Sequence, residues 1–433
     1  MINFPPASYI EKIEIEGLFG ADDVELTASG VSDPRVMVLY GRNGTGKTTI
    51  LSIVRSLLSW EDDSGHRTRL SRIPFIRAAV TLSGGVTVEA KKKSGLTGSF
   101  DWSFRRRGGE SIYIHLPVRD GIIKSRSLEV GQREKLDAMS NELKSVIPRL
   151  SYLDDKRTFY KASDEFEGES RFVTRRYPDG RVVRTLVPGG GDGDDDPVKM
   201  GLVEVTNSIR REALALSNRG NQDAQTIYTS LVRGLAAFPQ SKIESKDELR
   251  NKLLDLERRG LVVSEYGLSS PVDHSEIISS LNGSVDGFDN VLFAVLSPYV
   301  ESLSARISAI ESLHSRIDVW TGHINNFIYP KRIKFKVGEG VSIISKNDDV
   351  LDSSVLSSGE RHLLALMTKA FILRSTGGLM IIDEPELSLN SAWQRALIGG
   401  LLDNFDGGAC QLLIASHSLE ICSQYVGSLV EMH

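Results

Sequence analysis

The sequence is poor in the residues that mark secreted and membrane proteins. It has two cysteines, Cys410 and Cys422, in 433 residues. Two thiols cannot form a disulfide framework for so long a chain, so we expect both to be core residues in a reducing compartment. The start of the chain lacks a basic segment followed by an apolar one, and no run approaches the roughly 18 apolar residues of a transmembrane helix. We therefore expect a cytoplasmic protein that does not bind membranes.

An excess of charge of one sign is also missing. The formal net charge is −5, so no global positive field draws the protein onto nucleic acid. Contact with DNA would depend on local basic clusters, which are Lys91–Lys93, Arg105–Arg107, Arg175–Arg176, Arg210–Arg211 and Arg258–Arg259. Most of them alternate with strand residues, which favours a solvated face and leaves contact with the DNA backbone as the alternative. Aromatic residues are sparse near them, so stacking on single strands has little support.

Two hydrophobic patterns divide the chain. Apolar and polar residues alternate from about residue 8 to 40 and again from about 77 to 116, which predicts strands. Residues 200–328 have a largely helical pattern, in which Leu249, Leu253 and Leu256 share one face. The glycine- and aspartate-rich stretch Val187–Pro197 cannot pack, and it predicts a mobile surface loop.

A complete phosphate-binding loop, G-x-x-x-x-G-K-[ST], occupies Gly41–Thr48 between a buried strand and a helix. In such a loop, backbone N–H groups and the helix N-terminus surround a phosphate. We expect Lys47 to bridge the β- and γ-phosphates of ATP and Thr48 to offer its hydroxyl to Mg²⁺. The residues predicted to bind nucleotide here are Arg42, Asn43, Gly44, Thr45, Gly46, Lys47, Thr48 and Thr49.

Two acids end another buried strand, in the stretch LMIIDEPELSLN. We expect Asp383 to hold Mg²⁺ through water and Glu384 to polarise the attacking water, because chemistry at a γ-phosphate needs charge compensation and a positioned water. A third buried strand, LLIAS, ends before His417, which we expect to contact the γ-phosphate. Acids and histidines often follow strands by accident, so these assignments depend on the complete phosphate loop upstream.

The stretch LSSGERHLL predicts a further helix N-terminus that meets an anion. Ser357, Ser358 and Gly359 form a small turn rich in donors, and a helix follows. The same letters also describe an ordinary helix start with Glu360 in the first turn. The position of this serine turn ahead of the two acids favours the anion-binding interpretation.

The order of the motifs resembles that of the ABC-type ATPases: the phosphate loop, LSSGE, IIDEP, the LSLN loop and ASH. Within these ATPases, the sequence is most similar to the stand-alone, non-transporter branch of SMC-, RecF- and OLD-like proteins. The resemblance implies an α/β fold, an ABC-type ATPase head with a mixed central sheet, helices and an antiparallel β subdomain. A helical insertion would split this head. The implied segments are 1–160, the N-terminal part of the head with Walker A; 161–199, a β/linker segment with the flexible glycine and aspartate loop; 200–328, a short helical arm or cap; and 329–433, the C-terminal part with signature, Walker B, D-loop and H-loop.

The resemblance further implies a homodimer, or a higher homo-oligomer, formed through the heads. ATP would lie between the phosphate loop of one head and the serine turn of the other, where Ser357, Ser358 and Gly359 meet the nucleotide. Ser388 and Asn390 would form the loop through which the two sites sense each other.

The family's Q-loop glutamine has no clear counterpart. Gln132 precedes the insertion, but its context does not fit. Asp154 or Asp155 is the alternative contact for the metal or its water.

The function implied is ATP hydrolysis, with ATP and Mg²⁺ as cofactors, in a switch that controls a separate effector. No His-Asn-His, Ser-His-Asp or Cys-x-x-Cys arrangement is present to supply an effector activity. ATPases of this size resemble subunits of bacterial anti-phage systems of the Septu and PARIS types, in which the effector is a nuclease or a toxin. The alternative is a RecF-like repair ATPase that binds DNA, and a transporter cassette is disfavoured by the long separation of loop and serine turn.

Overall fold

The computed structural model describes residues 9–28, 33–42, 44–61, 65–109, 111–154, 170–176, 182–188, 196, 198–216, 246–271, 273–282 and 289–431. The chain forms two compact units. The first unit contains residues 1–198 and 356–433, and the second contains residues 199–355.

A five-stranded sheet lies at the centre of the first unit, in the order β16-β3-β15-β14-β8. Its strands are β3 (Val36–Tyr40), β8 (Leu150–Leu153), β14 (Gly378–Asp383), β15 (Cys410–Ser416) and β16 (Leu429–Glu431). All four pairings between them are parallel. Every residue of β15 is buried, as expected for a parallel strand that is covered on both faces.

The second sheet of this unit has six strands in the order β2-β1-β4-β5-β6-β7, and its pairings are antiparallel. The strands are β1 (Ile10–Leu18), β2 (Asp22–Thr27), β4 (Arg77–Leu82), β5 (Val86–Lys92), β6 (Phe100–Arg106) and β7 (Ile112–Leu116). The side chain of Gln411 on β15 joins the two sheets, because it accepts from Ile10 N at 2.8 Å and donates to Ile10 O at 3.3 Å.

In the described part of the first unit, six helices flank the sheets. They are α1 (Lys47–Leu58), α2 (His66–Arg72), α3 (Val130–Val146), α8 (Ser358–Arg374), α9 (Ser391–Phe405) and α10 (Leu419–Cys422). One apolar core joins both sheets and α1 to α3, with Ile13, Ile53, Trp102, Met139 and Leu413 among its buried members. The strands predicted for residues 8–40 and 77–116, and the helix predicted after the phosphate loop, are therefore confirmed.

An antiparallel hairpin of β9 (Ser170–Arg176) and β10 (Val182–Pro188) also belongs to the first unit. Most of the predicted glycine and aspartate loop lies outside the described residues, as do Asp155 and Asn43.

The second unit combines helices with a small sheet. A helix at 198–216, here α4, leads into it, and the helices α5 (Lys246–Ser264), α6 (Ser275–Asn282) and α7 (Asp289–Ile328) follow. Its antiparallel sheet contains β11 (Arg332–Lys336), β12 (Gly340–Ile344) and β13 (Val350–Leu351). The predicted face of Leu249, Leu253 and Leu256 packs in one cluster with Val300 and Ile307 of α7.

The predicted fold class is confirmed, since an α/β unit with a central sheet and an antiparallel β subdomain is interrupted by a largely helical unit. The central sheet is parallel in all its described pairings. The segment boundaries stay predictions. The second unit includes residues 329–355, which the sequence analysis assigned to the ATPase head.

Candidate functional site

The register of the parallel sheet places three predicted segments at one edge. Asp383 pairs with Ala415, and Ala415 pairs with Leu39 of the neighbouring strand. The phosphate loop, Glu384 and His417 therefore leave the sheet within a residue or two of the same level, at the carboxyl ends of their strands. Crevices at this edge are where open α/β sheets bind ligands.

Glycines shape the phosphate loop. Gly44 has φ +89° and Gly46 has φ +85°, in the left-handed region that favours glycine. Gly46 is also the N-cap of α1, and a Cβ there would lie 3.2 Å from the ring of Phe19. Thr45 ties the loop together, because its N and Oγ1 both donate to Arg42 O, at 3.4 and 3.0 Å. The result is a short turn that delivers the N–H groups of a helix N-terminus, as a phosphate requires.

Lys47 folds back onto its own loop. Its ammonium donates to Gly41 O at 2.8 Å and to Arg42 O at 3.1 Å, and it lies 3.6 Å from Oε1 of Glu384. The side chain is only 5% exposed. A buried ammonium needs such acceptors, and a triphosphate can replace them with stronger charge-assisted ones.

The predicted magnesium residues supply hard oxygen ligands from two elements. Thr48 is exposed in the first turn of α1, and the carboxylate of Asp383 is buried at the end of β14. Asp154 follows Leu153, which pairs with Ile382, so Asp154 leaves the sheet at the level of Asp383. Hydroxyl and carboxylate oxygens are the donors that Mg²⁺ prefers. The residues present therefore fit this ion.

Glu384 has a strained backbone, with φ +49° directly after β14. Its N–H donates to Ala415 O at 2.9 Å, which holds the residue against the neighbouring strand. Burial, followed by the nearby Glu386 carboxyl, raises the pKa of Glu384 above its ordinary value, and His417 opposes that rise. Residues in such conformations persist where the surroundings enforce them, and they concentrate at functional sites.

His417 lies beside this carboxyl. Its Nδ1 is 2.5 Å from Oε2 of Glu384, and its side chain is 45% exposed. Lys47, Glu384 and His417, hereafter the Lys47 cluster, thus bring a cation, a carboxyl and an imidazole together, which is what charge compensation and water positioning at a phosphate require.

Glu386 belongs at this site and was missed from the sequence. Its Oε1 accepts from Ser416 Oγ at 2.7 Å, His417 N at 2.8 Å and Ser418 N at 3.0 Å. Ligand atoms of Glu384, Glu386 and His417 lie within 4.8 Å of one another. The second acid of DEPE was the available signal, but its partners lie in a distant segment.

The serine turn caps α8. Ser357 Oγ accepts from Glu360 N at 3.3 Å, and Oε2 of Glu360 accepts from Ser357 N at 2.6 Å. This reciprocal pair is a capping box, so Glu360 is explained by the helix start. Ser357 and Ser358 are exposed, and Gly359 is buried, where a Cβ would lie 2.5 Å from Ser388 O.

The LSLN loop therefore lies against the serine turn. Ser388 has φ +63°, and Asn390 is the N-cap of α9, where its side chain accepts from Trp393 N at 2.9 Å. A hydrogen bond between His362 of α8 and Pro385 O, 3.2 Å long, joins the same helix to the residue after Glu384.

Several residues of the basic clusters have acidic partners within the chain. Arg105 pairs with Glu89 at 2.8 Å, and Arg106 pairs with Glu142 at 3.1 Å. Arg259 forms a two-pronged pair with Glu311, with both distances 2.7 Å. These arginines are partly neutralised, which weakens the interpretation of the clusters as a DNA-binding face.

Residues 121–423 match the family described as "AAA domain, putative AbiEii toxin, Type IV TA system". This range is well over half of the chain, and it contains the serine turn, Asp383, Glu384 and His417. The protein therefore belongs to this family of AAA-type ATPases, and it is an ATPase that uses a nucleotide. The phosphate loop precedes the matched range. No curated protein matches the chain.

Solved structures of SMC heads resemble the chain weakly. An Smc head domain with an extended coiled coil, bound to the C-terminal domain of ScpA, from Pyrococcus furiosus has 12% identity and a TM-score of 0.40, with 96% of this chain and 92% of that chain covered. The SMC head domain from Thermotoga maritima has 12% identity and a TM-score of 0.33, with 96% and 91% covered. An Smc head domain with a coiled coil and joint from Pyrococcus yayanosii has 13% identity and a TM-score of 0.35, with 96% and 94% covered. Likenesses at this level carry no argument about activity or partners.

Among the described helices, none is both long enough and apolar enough to cross a membrane.

Proposed function

We propose that the Lys47 cluster is the ATP hydrolysis site of this chain. Lys47 contacts the β- and γ-phosphates, Glu384 polarises the attacking water, and His417 contacts the γ-phosphate. The observation that carries this proposal is the meeting of all three side chains at one sheet edge, with Lys47 Nζ 3.6 Å and His417 Nδ1 2.5 Å from the carboxyl of Glu384.

The phosphate loop supplies the rest of the nucleotide contacts. Backbone N–H groups from Gly44 to Thr49 meet the phosphates, with the exposed Arg42 beside them. Asn43 stays a nucleotide contact predicted from the sequence alone. Thr48 and Asp383 would hold Mg²⁺, which supplies charge compensation to the phosphates when it is bound. The exposed hydroxyl of Thr48 and the buried carboxylate of Asp383 support binding of Mg²⁺, because both groups offer oxygen ligands.

The active assembly is an ATP-dependent homodimer, in which the serine turn of one copy completes the nucleotide site of the other. Exposed Ser357 and Ser358 at the N-terminus of a 17-residue helix support this role, because a helix N-terminus of this length attracts a phosphate. The buried Gly359 packs against the LSLN loop, so Asn390 and Ser388 would move with a nucleotide that reaches the turn.

The biological role is a switch that controls a separate effector, a nuclease or a toxin, in anti-phage defence. The family's description names a toxin and a toxin–antitoxin system, which supports a role in such a pair. Cells that carry the native locus should resist phage with wild-type protein and lose resistance with Lys47→Ala. Unchanged plaque counts across a phage panel would remove the defence role.

The dimer is tested by sedimentation velocity of Glu384→Gln with ATP and Mg²⁺. We expect a dimer that persists with ATP and a monomer without nucleotide, because binding without turnover traps the closed state. Lys47→Ala is the matched control, which stays monomeric. A monomeric Glu384→Gln at saturating ATP would contradict the composite site.

Duplex DNA is tested as a second partner in the same samples. Fluorescence anisotropy of a labelled duplex at two salt concentrations separates the functions, since phosphate contacts weaken steeply with salt. ATP-dependent binding at micromolar concentration would support a RecF-like repair function over the effector switch.

A further inference from the structure

Glu386 links two segments that are far apart in sequence. The residue lies two positions after Glu384, and it is 6% exposed. Its Oε1 accepts three hydrogen bonds, from Ser416 Oγ at the end of β15 and from His417 N and Ser418 N just beyond that strand. One carboxyl oxygen therefore holds the backbone on both sides of the His417 side chain.

Two of these hydrogen bonds provide an acceptor for backbone N–H groups that lie just beyond the end of the sheet. Ser416 is the last residue of β15 that pairs with β3, so the N–H groups of His417 and Ser418 leave the ladder. Backbone donors at such a position need an acceptor, and a carboxyl oxygen gives stronger hydrogen bonds than a carbonyl. Glu386 therefore sets the direction in which the chain leaves β15.

The carboxyl groups of Glu384 and Glu386 both contact the imidazole of His417. Nδ1 of His417 lies 2.5 Å from Glu384 Oε2 and 3.2 Å from Glu386 Oε1. Both neighbours are carboxyl oxygens, so when these carboxyl groups are ionised Nδ1 donates and Nε2 is the nitrogen left for another partner. The pair thereby fixes both the ring orientation and the position of a proton.

We propose that Glu386 is a positioning residue for ATP hydrolysis, which acts by holding His417 beside Glu384. This inference rests on the proposed roles of Glu384 and His417. It predicts that loss of Glu386 lowers turnover while nucleotide binding survives, since Lys47 and the phosphate loop do not depend on it.

Steady-state kinetics and nucleotide titration of three variants test the inference. Glu386→Ala should lower kcat about 10- to 100-fold, a change of about 1.4 to 2.7 kcal/mol, and leave the Kd for a fluorescent ATP analogue within about 3-fold. Glu386→Gln keeps an oxygen acceptor for the backbone and should restore kcat to within about 3-fold of wild type. Glu420→Ala, a control at a partly exposed residue of α10 that pairs with Arg395, should leave kcat and the Kd unchanged.

A double-mutant cycle separates positioning from a general effect on the fold. If Glu386 acts through His417, then Glu386→Ala in a His417→Ala background should change kcat by less than about 3-fold, because the interaction is already lost. If the double variant lost kcat by the product of the two single-variant losses, Glu386 would act independently of His417, and the inference would be overturned. If Glu386→Ala fails to fold, Glu386→Asp replaces it in the cycle. The shorter side chain of aspartate cannot reach from the segment after β14 to the residues at the end of β15.

Glu384→Gln in the same assay separates failure of this inference from failure of the proposed function. Wild-type turnover by Glu384→Gln would overturn both. An inactive Glu384→Gln together with wild-type kcat for Glu386→Ala, or an equal loss of kcat and nucleotide affinity in Glu386→Ala, would overturn the role of Glu386 alone.

Discussion

The Lys47 cluster and the serine turn lie in the same compact unit, but they use their polar groups differently. The cluster joins distant segments, since Lys47, Glu384 and His417 meet only because three parallel strands end together. The serine turn is local, since Ser357 and Glu360 satisfy each other within one helical turn. A single chain can therefore assemble the first region, whereas the second is a capped helix end at which Ser357 and Ser358 are exposed.

Substitutions in the two regions should therefore impair the protein in different ways. Damage to the cluster should affect nucleotide binding or turnover in each copy. Damage to the serine turn should leave the nucleotide bound but impair dimerisation, because this turn completes the nucleotide site of a second copy.

The largest expected effect concerns turnover by the cluster. Glu384→Gln should lower kcat about 10²- to 10⁴-fold, the range for loss of a positioned base, because the amide cannot polarise water. A coupled phosphate-release assay measures it, with Glu420→Gln as the control. ATP affinity should stay within about 3-fold, and turnover at the wild-type rate would remove Glu384 from the mechanism.

The next effect concerns binding at the same cluster. Lys47→Ala should weaken ATP binding at least about 100-fold, because it removes a buried cation that can meet two phosphates. Isothermal titration measures the Kd, and exposed Lys135→Ala is the matched control. If Lys47→Ala bound ATP as tightly as the control, the phosphate loop would not be the nucleotide site.

A third effect isolates the serine turn. Ser357→Arg should bind ATP normally yet remain monomeric, because a bulky side chain at the helix N-terminus obstructs a second copy. Ser357→Asp keeps the N-cap but adds a negative charge, so it should also fail to dimerise while α8 stays capped. Sedimentation in the Glu384→Gln background measures both. Stable ATP-dependent dimers of either variant would argue that the turn has no role beyond its helix.

The smallest effect follows from the raised pKa of Glu384. An acid that holds its proton more tightly in the folded state destabilises that state as pH rises through the interval between its ordinary and raised pKa. Nucleotide-free Glu384→Gln should therefore melt about 1–3 °C above wild type at pH 8 and converge with it at low pH. Thermal scanning at several pH values measures this, and parallel curves at every pH would contradict the shift.

The sequence was sufficient for those features that depend on local pattern. Lys47, Asp383, Glu384 and His417 each follow or precede an apolar run in a recognisable motif, and alternation identified the strands β1 to β7. The helix start with Glu360 in its first turn, which the sequence offered as an alternative, is present as a capping box.

Features that depend on register and close approach could not be predicted in the same way. Nothing near Glu386 in sequence reveals that its partners are Ser416 to Ser418, since only the pairing of β14 with β15 brings them together. Similarly, the need for glycine at position 359 arises from Ser388 O, which lies on a different loop. The strand β16 has three residues, too few to give a hydrophobic period.

A structure of Glu384→Gln with ATP and Mg²⁺ is the sharpest test of the shared nucleotide site. We expect two copies, with each triphosphate between Gly44–Thr48 of one chain and Ser357–Gly359 of the other. A nucleotide-loaded assembly in which the serine turn lies away from every triphosphate would contradict it.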